Sequence, residues 1–350
     1  MKYPRISVSR GWRLPVVVIG ATATLGLVML LCMAAGEIHM SASSIAHILG
    51  RHLLGNDMDV DPIDDGIVWN YRLPRTIVAA CCGAGLSLSG AVLQTLLRNA
   101  LADPYLVGIS AGASTGAVLV TIAGVGAGAI SIGAGAFAGA VTAFALVALL
   151  AQAAGSGGLR NHAQIILAGI AGSQLFNALT SLIITKSGNA EQARGILFWL
   201  LGSLSGVRWP DVPVSVLVIT CGVVICLWRA RALDAFTFGA ESAASLGISV
   251  RRVQAELLLC AALMTAMIVS VVGAIGFVGL VIPHVARLLT GGRHGRLLPA
   301  CALMGAIFLM LADICARILL KGQVLPIGVV TALVGAPVFA AILLSRRKQP

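Results

Sequence analysis

Charge is what this 350-residue chain has least of. Only 11% of its residues are Asp, Glu, Lys or Arg, against about 25% in a soluble domain. Lysine occurs four times and never follows glycine, so no GxxxxGK[ST] loop exists to cradle the phosphates of ATP. Aromatic residues make up 5%, with three tyrosines, which leaves no ring cage to stack on a ligand. HExxH is missing, and no nucleophile–base or metal constellation supports a membrane enzyme. The cysteines Cys32, Cys81, Cys82, Cys221, Cys226, Cys260, Cys301 and Cys315 form no CxxC pair. They read as small buried apolar residues, which excludes a disulfide framework and a zinc site.

What the chain has in excess is apolar length. Hydrophobic residues make up 58% and mean hydropathy is +0.98, which places it in the membrane class. Runs long enough to span lie near 14–35, 67–92, 104–123, 129–153, 163–185, 212–229, 254–273, 276–290, 298–319 and 326–345. They predict an all-α polytopic protein of about ten transmembrane helices. The first run exceeds a signal-peptide core and reads as a retained helix. Residues 187–211 are too broken to span and predict a short extra helix at one membrane face. The glycine run at 126–139 lacks the strand-to-helix context of a dinucleotide site and reads as helix packing. The same reading covers Gly108/Gly112/Gly116, Gly135/Gly139 and Gly202/Gly206, whose four-residue spacing lets helix backbones approach closely in lipid.

The net charge of +11 fits the positive-inside bias of membrane proteins better than a nucleic-acid surface, because the basic residues sit in short breaks between apolar runs. With the N-terminus placed in the cytoplasm, Arg51, Arg72, Arg75, Lys186, Arg194, Arg208, Arg317 and Lys321 fall outside, and the other 16 of the 24 Lys and Arg fall inside. Both termini are then cytoplasmic. Ion-driven carriers keep buried ionisable relays. The candidates here are few: Glu256, and Asp313 with Arg317 four residues on, which predict a mutual ion pair. An ion-coupled secondary transporter is therefore the lesser reading. Gly169, Ser173, Asn177 and Ser181 recur every fourth residue along 163–185, a stripe facing either another helix or a water-filled path.

Five stretches carry a resemblance: RLPRTIVAACCGAGLSLSGAVLQTLLRNALADPYLVGISAGASTGA (72–117), FWLLGSLSGVRW (198–209), FGAESAASLGI (238–248), GAIGFVGLVIPHVARLL (273–289) and LPIGVVTALVGAPVF (325–339). In order and spacing they resemble the FecCD family, the permease subunits of ABC importers for iron complexes and cobalamin. The resemblance implies a single permease domain over 1–350, like the cobalamin-importer permease, in the bacterial inner membrane. It implies a homodimer with cargo passing along its interface, two cytoplasmic ATPase subunits that hold ATP and magnesium, and a periplasmic binding protein docked above. No cofactor is implied on this chain. The favoured cargo is a ferric siderophore, with haem or cobalamin as alternatives.

Residue roles follow from the same resemblance. Segment 230–252 is similar to the coupling helices that sit in a cleft of the ATPase, which assigns Asp234, Gly239, Glu241, Ala244, Leu246 and Gly247 to that contact. Its residues independently suit a helical hairpin, with Asp234 to cap a helix start and Gly239 and Gly247 to end turns. Arg72, Arg75 and Arg317 match arginines that receive carboxylates of the binding protein. Ser173, Asn177 and Ser181 match the path-lining helix, and Asn161 with His162 the cytoplasmic gate.

Overall fold

The computed structural model describes residues 13–36, 38, 40–55, 60–126, 128–153, 162–186, 190–320 and 322–346. Its regular structure is helical, with no strand among the described residues. The helices are α1 (Arg13–Ala34), α2 (Ala42–Leu54), α3 (Pro62–Ile67), α4 (Leu73–Leu96), α5 (Ile109–Thr121), α6 (Ile132–Ala153), α7 (His162–Lys186), α8 (Ala190–Leu200), α9 (Asp211–Trp228), α10 (Ala230–Phe236), α11 (Ala240–Ser245), α12 (Val250–Val272), α13 (Val278–Thr290), α14 (His294–Ile318) and α15 (Ile327–Arg346). Each of the ten apolar runs contains a helix. Six stretches are long and apolar enough to cross a membrane, and Gly20–Ala34, Ile109–Thr121, Val278–Thr290 and Ile327–Ala341 are shorter apolar helices. The broken stretch 187–211 holds the 11-residue α8.

The core is built around α4, of whose 24 residues 19 are buried. Glycine makes this possible. A Cβ on Gly83 would stand 2.0 Å from the carbonyl oxygen of Gly305 in α14, and one on Gly90 would stand 1.9 Å from that of Gly279 in α13. Backbones meet directly at these points, as small-residue packing in lipid requires. The spacing Gly112/Gly116 against Gly135/Gly139 zips α5 to α6 in the same way: a Cβ on Gly116 or Gly139 would stand 2.0 or 2.2 Å from an opposing carbonyl oxygen. The Gly202/Gly206 pair does not. Gly202 is a left-handed turn residue at φ +77 packed on Ala274, and Gly206 meets open space. The four-residue spacing there falls in a loop, where it carries no helix face.

Two interruptions need their backbone groups satisfied, because lipid offers no substitute for water. Before α4, Val68–Arg72 forms a π-turn. Pro74 has no N–H to offer its preceding turn, and Leu73 N instead reaches back to Val68 O. Between α12 and α13 the chain leaves helical geometry at 273–277, with Phe277 at φ +69. Tyr105 spans this break: its hydroxyl accepts from Ile275 N at 3.0 Å and lies 3.2 Å from Ile275 O. Gln94 Nε2 donates to Gly279 O and Leu280 O, each at 3.2 Å. α13 thereby becomes a half-length helix of 13 residues, about 20 Å long.

Cys32, Cys82, Cys226, Cys260 and Cys301 are buried and all eight thiols are free. Cys221 is exposed on α9, so the expectation of burial fails there: its helix face points away from the bundle.

Candidate functional site

α4 and α14 lie antiparallel and carry charged groups at both ends. Each is about 36 Å long at 1.5 Å per residue. One end gathers arginines. The other meets the α10–α11 hairpin.

At the arginine end, Asp313 is 1% exposed. Arg75 grips it with two nitrogens, Nη2 to Oδ1 at 2.7 Å and Nε to Oδ1 at 2.9 Å. Arg317 Nε lies 3.1 Å from Oδ2. The expected i,i+4 ion pair is present, but the carboxylate is shared, and its closer partner is Arg75. Arg317 also donates to Ala35 O at 2.8 Å and Cys32 O at 3.0 Å. Arg72 is 8% exposed and donates to Met33 O at 2.5 Å, Ala34 O at 3.1 Å and Ile38 O at 2.6 Å. Two arginines thus cap the C-terminal carbonyls of α1, which has no basic residue in its own last turn. Cations at a helix C-terminus satisfy orphan carbonyls and oppose the dipole.

The guanidinium donors of Arg72 and Arg317 are therefore largely committed inside the protein. What faces outward is different. Arg75 Nη1 has only a 3.4 Å contact to the Ser205 hydroxyl. Arg208 is exposed, stacks 4.4 Å over the Tyr71 ring and is steadied by Val207 O and Ser205 O. A cleft of about 250 Å³ opens among Tyr71, Arg72, Arg75, Ser205, Arg208 and Arg317. Four guanidinium groups against Asp313 and Asp211, which accepts from Arg208 N at 2.9 Å, leave it electropositive. Beside it, His52 stacks on Trp69 at 4.0 Å and pairs with Asp65 at 2.8 Å. Sequence reasoning missed Arg208, although it lies in the quoted GSLSGVRW stretch; its partner Tyr71 is 137 positions away in the chain.

At the opposite end α10 and α11 form the predicted hairpin. Gly239 at φ +112 and Gly247 at φ +79 turn the chain before and after α11. Glu241, Ala244 and Gly247 are exposed, and so are Leu246 at 73% and Phe238 at 77%. Ala243 is fully buried, so α11 leans on one small side chain and turns the rest outward. Asp234 behaves otherwise. It lies inside α10 and caps no helix of the hairpin. Its Oδ1 accepts from His294 N at 2.7 Å, capping α14 from a distance of 60 residues. The reason is that the α14 N-cap, Arg293, makes no capping bond of its own.

The path residues separate along α7. Each step of four residues turns about 40°, so the stripe winds from the packed face to the open one. Gly169 is buried against Leu106 O, Ser173 is half-buried, and Asn177 and Ser181 are exposed. Asn161 lies outside the described residues. His162 begins α7, and its side chain lies outside them too. Asp103, at the turn between α4 and α5, was also missed. Its Oδ1 caps Tyr105 N at 2.9 Å, and burial pushes its carboxyl up to about 6.

The sequence of residues 24–345 matches the model of the FecCD transport family. The chain belongs to that family. It is an ABC importer permease and a multi-pass membrane protein, and its neighbours in structure are subunits of ABC transporter assemblies. The cobalamin import system permease protein BtuC of Halobacterium salinarum is 42% identical over 80% of this chain and 74% of that one. The hemin transport system permease protein HmuU of Yersinia pestis is 35% identical over 92% and 95%. The molybdate import system permease protein MolB of Haemophilus influenzae is 31% identical over 94% and 95%. A solved inward-facing structure of an ABC transporter described as metal-chelate type superposes with a TM-score of 0.81 at 29% identity, covering 95% of this chain and 99% of that one.

Proposed function

We propose that this chain is a single transport domain which, paired with a second copy, imports a bulky metal chelate, a ferric siderophore, at the expense of ATP held with magnesium by two partner ATPase subunits. The observation that carries the reading is the pair of unlike ends on α4 and α14: an electropositive cleft at one, and at the other a hairpin exposing Phe238, Ala244 and Leu246. A cleft rich in guanidinium suits carboxylates on a periplasmic binding protein. Arg75 and Arg208 offer the free donors there, while Arg72 and Arg317 supply charge from beneath. Small and apolar groups around Glu241 suit a close protein contact with the ATPase. The excess of Lys and Arg on the hairpin side supports a cytoplasmic hairpin and cytoplasmic termini in the inner membrane.

The cargo reading rests on α7 and α15. Both leave large apolar residues exposed in the single chain, Leu175 and Leu182 on one and Leu333 and Leu344 on the other, which suits burial against a second copy. Along α7 the exposed polar groups Gln174, Asn177, Ser181 and Thr185 are uncharged, and the one exposed charge, Lys186, stands at the helix end. Such a face suits a large chelate that shields its own metal. A bare oxyanion would want cations or clustered N–H donors. Cobalamin is a second reading, favoured by the 42% identity to the Halobacterium permease. An ion-coupled carrier is disfavoured because Glu256 is held by Arg229 at 2.6 Å and Asp313 by two arginines, leaving neither free to relay an ion.

The test is uptake into proteoliposomes holding this permease with its ATPase subunits, with the binding protein added outside. Labelled ferric siderophore, cyanocobalamin and haemin are offered with and without ATP. Uptake of the siderophore alone, dependent on ATP and binding protein, is expected. Selective uptake of cyanocobalamin moves the assignment to the second reading, and ATP-independent uptake on an ion gradient ends the importer reading.

A further inference from the structure

The α10–α11 hairpin is covalently continuous with α9 and α12 only. α9 runs from the arginine end, where Asp211 accepts from Arg208 N at 2.9 Å, into α10, but the buried charges of the cleft, Arg75, Asp313 and Arg317, stand on α4 and α14, which meet the hairpin through side chains. One polar chain makes that connection. Asp234 of α10 accepts from the backbone N of His294 at 2.7 Å, and its Oδ1 lies 2.8 Å from the Nδ1 of the same residue. His294 Nε2 lies 2.9 Å from the hydroxyl of Thr95 in the last turn of α4. Thr95 Oγ1 stands 2.8 Å from Ala91 O. His294 is 1% exposed and Thr95 is 6% exposed, so water does not reach the contact between them, while the Asp234 side chain is 33% exposed. The preceding residue of α4, Gln94, accepts from Arg287 of α13 at 2.5 Å and holds the first turn of that helix as well.

We infer that Asp234, His294 and Thr95 form a strut that transmits displacement of the hairpin to the α4–α14 pair, and through it to the arginine cleft. The inference rests on the reading of the hairpin as the ATPase contact. These three are positioning residues: none meets cargo or nucleotide. Three features make the chain suited to the role. Its hydrogen bonds are directional, whereas the apolar contacts of Leu233 and Phe236 beside it can slide. Asp234 binds backbone and ring of one residue together, which fixes the angle as well as the distance. The far end is rigid, because Gly83 and Gly305 bring α4 and α14 into backbone contact and Ser87 donates to Cys301 O at 2.7 Å across the same seam.

The decisive experiment uses the full complex in lipid, with ATP hydrolysis measured alone and with added cargo-free binding protein. Leu246→Arg tests the underlying reading: it should remove the ATPase subunits from the purified complex. Thr95→Val and His294→Asn test the strut. Both should retain the ATPase subunits and basal hydrolysis within about twofold, while the stimulation by binding protein falls about tenfold, the size of one lost buried hydrogen bond. Thr95→Ser keeps the hydroxyl and should keep the stimulation. A role in folding alone would lower melting temperature, basal hydrolysis and stimulated hydrolysis together, and would overturn the inference. Full stimulation in Thr95→Val and His294→Asn, with assembly lost in Leu246→Arg, overturns the strut and leaves the contact standing. Assembly retained in Leu246→Arg overturns the contact and the strut with it.

Discussion

α4 and α7 are nearly the same length, 24 and 25 residues, and both mix leucine with glycine, serine and threonine. They end up in opposite environments. α4 buries 19 residues, and its polar side chains are spent on neighbours: Ser87 on Cys301 O, Ser89 on Ala261 O at 3.3 Å, Gln94 on α13. Among its described side chains α7 buries only Ile165, Ala168, Gly169, Gly172, Phe176 and Thr180. Thr180 is tied to Thr115 at 2.8 Å, while Asn177 and Ser181 stay open. A polar residue in a membrane helix is thus structural when a neighbouring carbonyl lies within reach and available for function when none does. The helix that carries it looks much the same in either case.

The largest effect expected from this contrast comes from crowding the α4 seam. Gly90→Val would drive a side chain into the backbone of Gly279, and such overpacking against backbone should cost about 4 kcal/mol or more. The protein should fail to accumulate in the membrane, while Leu182→Ala on the open face of α7 should accumulate normally. Equal yields would show that the two helices are not differently packed. Next comes Asp313→Asn, which leaves Arg75 and Arg317 buried without their counter-charge. A loss of about 3 kcal/mol is expected, read as a lower melting temperature in detergent; an unchanged melting point would mean that solvent reaches the cluster.

Asp103 sits where α4 hands over to α5 and sharpens the comparison through pH. Burial raises its folded value to about 6, above the ordinary carboxyl range, so the folded state favours the protonated form. Its contribution is fully favourable below about pH 4 and is lost as pH rises through 6. Between pH 7.5 and 5 this one carboxyl should add about 1 kcal/mol, and Asp103→Asn should remove that component from the melting curve. The smallest stability effect belongs to Asn177→Ala and Ser181→Ala. Each should shift stability by less than about 0.5 kcal/mol yet lower ATP-driven uptake. If uptake is unchanged, the open face of α7 faces lipid or the second copy and not the cargo.

Much of this was legible in the chain itself. Ten apolar runs became ten helices because a run of that length in lipid has no other way to satisfy its backbone. The glycines of α5 and α6 announced their packing because small-residue spacing on a helix is a face. The same spacing misled at Gly202 and Gly206, where no helix exists to turn spacing into a face. The hairpin glycines were readable from local turn chemistry. Arg208, Tyr105, Gln94, His294 and Thr95 were not, since each acts through a partner between 60 and 199 positions away, and no local pattern marks such a pairing.

The sequence by itself determined the solvent, the helices and the family, because these depend on hydropathy, on backbone hydrogen bonding and on motifs contiguous in the chain. Only the tertiary structure decided which arginines were free. Arg72 and Arg317 look as available in sequence as Arg208, but the end of α1 has no basic residue in its last turn and its carbonyls draw both inward. In the same way α14 lacked an N-cap and drew in Asp234. Unsatisfied backbone groups at helix ends are costly in lipid, and it is the packing of distant helices that decides which side chains answer them.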